Sequence, residues 1–132
     1  MKHLFLLILV LISVFGTSCK ETGAQNQVSH VSPNEAYQVM KDTLVQIIDL
    51  RTPAEFEEGY LKNAINIDVM ASSFSKEIKQ VDSLKPILIY CRSGNRSEQS
   101  LAVFLKAGFT KIYHLEAGIL GWEAAQLPIL RD

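Results

Sequence analysis

The sequence predicts an α/β fold in which a mostly parallel sheet carries helices on both faces. Short apolar runs at 45–50, 87–90 and 111–115 alternate with segments of helical spacing, as in strand–helix–strand units. The first two runs are apolar almost throughout, which indicates strands buried on both faces. Residues 28–132 have the length of one domain, so we expect a single domain with a sizeable core.

Residues 1–18 are predicted to be a targeting segment that lies outside the fold. Lys2 is followed at 4–15 by a run that is apolar except for Ser13, and this run is too short for a bilayer, which takes about 20 residues. Three small residues then precede Cys19. This order resembles a bacterial lipoprotein signal peptide, in which Cys19 would carry lipid and become the mature N-terminus. The same residues also fit an ordinary secretory signal or an uncleaved anchor.

The lipoprotein resemblance implies a place in the bacterial cell envelope, facing the periplasm, with the lipid as the only membrane contact. Residues 19–27 are polar and are predicted to be a flexible tether. Cys91 would be the one free thiol after export, and a lone cysteine in an oxidising compartment suggests use rather than structure. Without Lys2, 12 basic residues face 14 acidic ones, a net charge of −2 that gives no reason to expect a nucleic-acid partner.

The elements of the domain follow from local signals. Ser32 and Glu35 form a capping box with Pro33 at the first helical position, so a helix should run from there to about residue 41. Residues 52–55 repeat that signature and open a short helix that Gly59 can end. Further strands are predicted at 45–50, 64–67, 87–90 and 111–115, and further helices at 73–81, 96–107 and 120–125. Gly108 stands at the expected cap of the longest helix.

Cys91 is the residue around which the domain is organised. It ends the strand 87–90 and is followed by a polar loop and the helix 96–107, a geometry that aims backbone N–H groups and a positive helix end at one point. A thiol placed there should ionise readily. The alternative is a small buried cysteine at a strand end, which the flanking arginines, serines and glycine make unattractive.

No histidine lies near Cys91 along the chain. His30 and His114 are far away in sequence, although folding could bring His114 close because it ends a parallel strand. If the loop itself holds the thiolate, no general base is required. We therefore expect a preformed thiolate, with a cysteine–histidine pair as the alternative.

Four charged residues surround the predicted site. Arg92 and Arg96 are candidates for binding an anionic substrate, because guanidinium matches oxyanions in a fork geometry, and their alternative is a solvated helix face. Asp49 and Arg51 flank another strand end and are predicted to form ion pairs that brace the site. The sequence predicts no metal and no cofactor.

Four segments together resemble the rhodanese family of sulfurtransferases. They are residues 48–67, the loop 91–97, residues 107–109 and residues 115–122, and they cover nearly everything after the tether in the family's order. The resemblance implies a rhodanese-like three-layer fold. Cys91 would take a sulfane sulfur from a donor such as thiosulfate and pass it to a thiol or cyanide-like acceptor. Arg92 and Arg96 would orient the donor, and the sulfur would be bound by the loop amides of Arg92, Ser93, Gly94, Asn95, Arg96 and Ser97.

Two other functions stay open at this point. A phosphatase or arsenate reductase of the same fold also uses a cysteine and an arginine, but its loop needs one more residue than the four between Cys91 and Arg96. A lipid-tethered persulfide carrier or binding module with little turnover is the second alternative. The sequence defines neither the physiological donor and acceptor nor the oligomeric state.

Overall fold

The computed structural model describes residues 25–131. The predicted signal peptide at 1–18, the lipid attachment at Cys19 and most of the predicted tether lie outside these residues.

Five parallel strands form one sheet, which confirms the predicted fold class. The strands are β1 (Gln27–Val31), β2 (Gln46–Asp49), β3 (Ala64–Asn66), β4 (Ile87–Tyr90) and β5 (Lys111–Leu115). Their order across the sheet is β1-β5-β4-β2-β3, and each neighbouring pair is parallel. The carboxyl ends of all five strands therefore lie at one edge, where ligands of such sheets bind.

Five α-helices within residues 25–131 cover both faces of the sheet, four of them between successive strands and the fifth after the last strand. They are α1 (Pro33–Val39), α2 (Pro53–Glu57), α3 (Phe74–Glu77), α4 (Asn95–Lys106) and α5 (Gly118–Ala124). Two of them begin at the predicted capping boxes, and both reciprocal bonds are present in each box. No helix among residues 25–131 has the length and apolar character needed to cross a membrane.

The central strands are buried on both sides, as their continuous apolar runs predicted. On one face, Ile87 and Ile89 of β4 pack with Phe104 of α4. On the other face, Leu88 and Tyr90 pack with Trp122 of α5. Every residue of β4 is buried, so the strand that leads into Cys91 is held firmly from two sides.

Most predicted bounds agree with the structure to within one or two residues, and three elements differ in other ways or need comment. The first strand, β1, was not predicted, and it begins at Gln27 within the predicted tether. It is an edge strand in which three of five residues are polar and most side chains are at least partly exposed, so it lacks the apolar run that identified the others. The predicted helix at 73–81 is a short α3 followed by a 3₁₀ turn, Ile78–Gln80, although its apolar spacing does place Phe74 in the core. The last helix begins at Gly118, two residues before its predicted start.

Candidate active site

The Cys91 thiol lies at the carboxyl end of β4, in front of the first turn of α4. Its Sγ accepts hydrogen bonds from the Gly94 amide at 3.2 Å and from the Ser97 hydroxyl at 3.4 Å. The residue is only 1% exposed. The donors that surround the sulfur favour its negatively charged form, as the strand–loop–helix pattern predicted.

Opposing effects decide the pKa of Cys91. Burial raises it, since a charged sulfur loses the stabilisation it has in water. Hydrogen bonds from the Ser97 side chain and from the amides of Ser97, Gly94 and Ser93 lower it. The donors prevail, and the pKa of Cys91 lies below its ordinary value. The thiol is therefore a readier nucleophile than an ordinary cysteine at neutral pH.

The N-terminus of α5 fixes the conformation of the loop. The Ile119 amide donates to the Cys91 carbonyl at 2.9 Å, and the Leu120 amide donates to the Arg92 carbonyl at 3.1 Å. These hydrogen bonds hold the first two carbonyl groups of the loop against the N-terminus of α5. The loop amides are then free to face the sulfur.

Close backbone contact between the loop and the segment before α5 requires glycine on both sides. Gly94 has φ +96°, and a Cβ there would collide with the Glu116 carbonyl oxygen. Gly118 has φ +60°, and a Cβ there would collide with the Arg92 carbonyl. Both positions combine a left-handed backbone with no room for a side chain, so the loop geometry depends on them.

Ser97 connects the thiol to a buried histidine. The His114 Nε2 atom lies 2.8 Å from Ser97 Oγ and 3.2 Å from the Gly94 carbonyl oxygen. A carbonyl can only accept, so Nε2 carries the proton and donates to both oxygens. The Ser97 hydroxyl then keeps its own proton for Cys91 Sγ or for the Gly94 carbonyl, which it contacts at 2.9 Å.

His114 is thus brought to the site by folding, but through Ser97 rather than as a direct partner of the sulfur. Burial is the largest influence on the pKa of His114 and lowers it, whereas Glu98 and the Gly94 carbonyl raise it. The balance of these influences favours the neutral form of the ring. His114 supports the thiolate through the Ser97 hydroxyl. The arrangement therefore lies between the two alternatives that the sequence allowed, a thiolate held by the loop alone and a direct cysteine–histidine pair.

Arg96 is already paired with an acid that the sequence analysis had not included in the site. Its guanidinium binds Glu55 bidentately, with N–O distances of 2.8 and 2.6 Å. The hydrogen bond with Arg96 is the largest influence that lowers the pKa of Glu55, to about 2. The Glu55 carboxylate therefore balances the positive charge that Arg96 adds at the N-terminus of α4, which is the positive end of the helix dipole. Arg92, by contrast, is exposed.

The predicted ion pair between Asp49 and Arg51 is present and buried. Arg51 Nη2 lies 2.7 Å from Asp49 Oδ2 and also donates to the Gly59 carbonyl at 2.6 Å. Burial lowers the pKa of Arg51, but the Asp49 carboxylate outweighs it and raises the pKa overall. Burial also raises the pKa of the neighbouring Tyr90 phenol, which accepts a hydrogen bond from the Leu61 amide at 3.2 Å. This network joins the ends of β2 and β4, the strand that presents Cys91.

The other predicted site residues are divided between the interior and the surface. Gly94 and Ser97 are buried against the sulfur, while the side chains of Ser93 and Asn95 are exposed at the mouth of the loop. The residues that the sequence analysis did not assign to the site are Glu55 and Glu98. Glu55 already had a sufficient local explanation as a capping residue, so no signal indicated its second role. Glu98 of α4 contacts His114 of β5 at 3.1 Å, so its role depends on where β5 lies beside α4.

Comparison with known proteins finds sulfurtransferases and a tRNA hydroxylase among the relatives of this chain. A sulfurtransferase of Allochromatium vinosum is 30% identical over 104 residues, which are 78% of this chain and 95% of the relative. Thiosulfate sulfurtransferase GlpE of Vibrio cholerae is 27% identical over 100 residues, 76% of this chain and 92% of the relative. The tRNA uridine(34) hydroxylase of Cytophaga hutchinsonii is 36% identical over 101 residues, 74% of this chain but only 32% of the relative.

The fold is similar to that of a solved rhodanese-related structure. A rhodanese-related protein of Thermoplasma volcanium superposes with a TM-score of 0.70 at 24% identity, covering 79% of this chain and 99% of that one. The family model for the rhodanese-like domain matches residues 32–125, which include every strand after β1 and all five helices. The chain therefore belongs to the rhodanese-like domain family.

Proposed function

We propose that this protein is a thiosulfate-type sulfurtransferase that works through a persulfide on Cys91. The observation that carries the proposal is the set of donors around Cys91 Sγ, in which the Gly94 amide and the Ser97 hydroxyl converge on one sulfur. A second sulfur attached to Sγ would also be negatively charged at neutral pH. The same ring of loop amides suits that charge.

The proposed reaction has two nucleophilic steps. In the first, the Cys91 thiolate attacks the outer sulfur of thiosulfate, a Sγ–S bond forms, the S–SO₃ bond breaks, and sulfite leaves with the bonding electron pair. In the second, an acceptor such as cyanide or a thiolate attacks the outer sulfur of the persulfide. The Sγ–S bond breaks, thiocyanate or an acceptor persulfide leaves, and the Cys91 thiolate is restored. No external oxidant or cofactor enters this cycle.

The surroundings of the sulfur favour a donor with a narrow reacting end. Cys91 is 1% exposed, so a donor must reach Sγ with a single protruding atom, as the outer sulfur of thiosulfate is. The charge of Arg96 is compensated by Glu55, whereas Arg92 is exposed on the same loop. Of the two arginines predicted to orient an anionic donor, Arg92 is therefore the better placed.

The relatives support transfer of sulfur over the other activities in the family. Two relatives named as sulfurtransferases are similar along almost their whole length. The hydroxylase of Cytophaga hutchinsonii shares only about a third of its length with this chain, so hydroxylation is not proposed here. A phosphatase or arsenate reductase is disfavoured because four residues, not five, separate Cys91 from Arg96, and because Arg96 is engaged by Glu55.

The proposal is tested by measuring thiocyanate formed from thiosulfate and cyanide by the full chain. Wild type should turn over many times, and Cys91→Ser should form none, because a hydroxyl cannot hold a sulfane sulfur. Release of phosphate from a simple aryl phosphate serves as the parallel assay and should show no activity. One thiocyanate per chain followed by arrest would identify the carrier function instead. Equal thiocyanate formation by Cys91→Ser and wild type would overturn the proposal.

We also propose that the chain is attached to the cell envelope by lipid on Cys19, with the domain facing the periplasm. The support is the order of a short apolar run and small residues before Cys19. A fatty-acid analogue fed to cells should label wild type and not Cys19→Ser. The serine variant should keep its sulfur transfer, since lipid and thiol are far apart in sequence. Labelling of the serine variant would end this idea.

A further inference from the structure

Three potential metal ligands from three different elements meet beside the active-site loop. His30 on β1 and His114 on β5 are direct partners in the parallel register, so their side chains share one face of the sheet. Their Nδ1 atoms lie 3.0 Å apart. Glu98 of α4 places Oε2 at 3.1 Å from the His114 Nδ1 atom and at 3.5 Å from the His30 Nδ1 atom. We call these residues the His30–Glu98–His114 cluster.

The cluster presents the lone pair that a metal needs. His114 Nε2 donates to the Gly94 carbonyl and Ser97 Oγ and therefore carries a proton, so Nδ1 is the nitrogen of the imidazole that can offer a lone pair to a metal. A histidine that ligates a metal commonly donates its other N–H to a backbone carbonyl in this way, which fixes the ring and its tautomer. The side chain of His114 is buried, and its orientation is therefore determined before any ion binds.

The three distances match those around a tetrahedral ion. Zinc binds imidazole nitrogen and carboxylate oxygen at about 2.0–2.2 Å. Ligand atoms 3.0–3.5 Å apart would then subtend angles of roughly 95–115° at the metal, close to the tetrahedral value of about 109°. The three atoms already lie close enough together for one ion to contact all of them.

The chemistry of the ligands and the surroundings limits which ion fits. Two imidazoles and one carboxylate suit Zn²⁺, Co²⁺, Ni²⁺ or Cu²⁺ better than Mg²⁺ or Ca²⁺, which prefer oxygen ligands throughout. The cluster lines an open pocket of about 320 Å³, to which Glu116 adds a second carboxylate. The side chains of His30 and Glu98 are 45% and 52% exposed, so an ion can enter from solvent.

We propose that His30, Glu98 and His114 form a binding site for a divalent transition metal of the zinc class, with its fourth position open to solvent. The site is distinct from the sulfur-transfer chemistry, since its ligands do not touch Cys91 and are joined to it only indirectly, through Ser97 and Gly94. If the sulfur-transfer proposal were refuted, the metal-site proposal would still stand. If the metal-site proposal were refuted, the persulfide mechanism would still stand.

The test is a titration of the full chain with Co²⁺, whose visible absorption becomes intense in tetrahedral sites. The chain carries Cys19→Ser and Cys91→Ser, so that no thiolate can bind the ion. We expect one equivalent of Co²⁺ to give a tetrahedral spectrum that an equivalent of Zn²⁺ abolishes. His30→Ala and Glu98→Gln alter exposed side chains, and each should weaken Co²⁺ binding about tenfold or more. Glu57→Gln removes an exposed carboxylate of α2 and is the matched control, with unchanged affinity.

Thermal melting of each variant confirms that it is folded, and Zn²⁺ should raise the melting temperature of the Cys19→Ser, Cys91→Ser chain but not that of His30→Ala. The proposal is overturned if Co²⁺ keeps the weak spectrum of its hydrated ion in the presence of the folded protein. It is equally overturned if His30→Ala, Glu98→Gln and Glu57→Gln all bind Co²⁺ with the same affinity.

Discussion

Removing the Ser97 hydroxyl should raise the pKa of Cys91 by about one unit, because it takes away a side-chain donor to the sulfur. Ser97 Oγ lies 3.4 Å from Sγ. Hydrogen bonds to charged groups contribute about 1.5–3 kcal/mol, and a long bond to sulfur belongs at the lower end of that range. About 1.4 kcal/mol corresponds to one pKa unit. The amides of Gly94, Ser93 and Ser97 remain in Ser97→Ala, so we expect the shift to be partial.

The assay is the pH dependence of Cys91 alkylation in Cys19→Ser protein, with Ser97 intact or replaced by alanine. A single rate at neutral pH would understate the effect, because a thiolate of higher pKa is also more nucleophilic. A tenfold loss of thiolate would be offset about threefold by that gain. The inflection of the pH profile reports the pKa directly.

Ser100→Ala is the matched control for this prediction. Ser100 is also a buried serine of α4, and its hydroxyl donates to the Ser97 carbonyl at 2.7 Å instead of to the sulfur. Its removal should leave the Cys91 inflection in place. If Ser97→Ala and Ser100→Ala both matched wild type, the backbone amides alone would hold the thiolate and the reasoning about Ser97 would be wrong.

Three further predictions address the loop and its supports. Arg92→Ala should raise the thiosulfate KM roughly tenfold through loss of one charged hydrogen bond, and an unchanged KM in steady-state kinetics would mean that Arg92 only faces water. Because Glu55 has a pKa of about 2 in the folded state, its bonds with Arg96, and to a lesser degree with Thr52, contribute stability that is complete above the ordinary value near 4.5 and is lost as pH falls through 2. Denaturant unfolding between pH 5 and 2 should therefore show about 2–3 kcal/mol less pH dependence in Glu55→Gln, and identical curves would refute the pairing. Gly94→Ala should lose most thiocyanate formation, since the left-handed backbone alone costs roughly 1–2 kcal/mol and the added Cβ meets the Glu116 carbonyl; wild-type activity would show that the loop tolerates rearrangement.

The features that could be predicted from the sequence are those encoded within a few residues. The capping boxes at Ser32 and Thr52 form as expected, because each needs only a hydroxyl and a glutamate three positions apart. Gly108 has φ +97° and follows α4 as a cap. The loop after β4 could be predicted from the change from an apolar strand to a polar, glycine-containing segment. In all of these places the local signal and the fold agree.

The contacts that could not be predicted depend on the order of strands in the sheet. Arg96 and Glu55 are 41 residues apart, and each had a satisfactory local role without the other. His30 faces His114 only because β1 pairs with β5. That edge strand has no apolar run of its own, since no other strand of residues 25–131 lies on its outer side and its residues are partly exposed. The contact between His114 and Ser97 then follows from β5 lying beside β4.

The central claim is that Cys91 itself holds the transferred sulfur, and the intact mass of the protein tests it most directly. The full chain, with Cys19→Ser to leave one thiol, is incubated with thiosulfate, freed of small molecules and weighed by mass spectrometry before and after cyanide. We predict a gain equal to one sulfur atom that maps to Cys91, disappears with cyanide and is absent from the Cys91→Ser chain. An unchanged mass in protein whose Cys91 is still readily alkylated would contradict the persulfide mechanism.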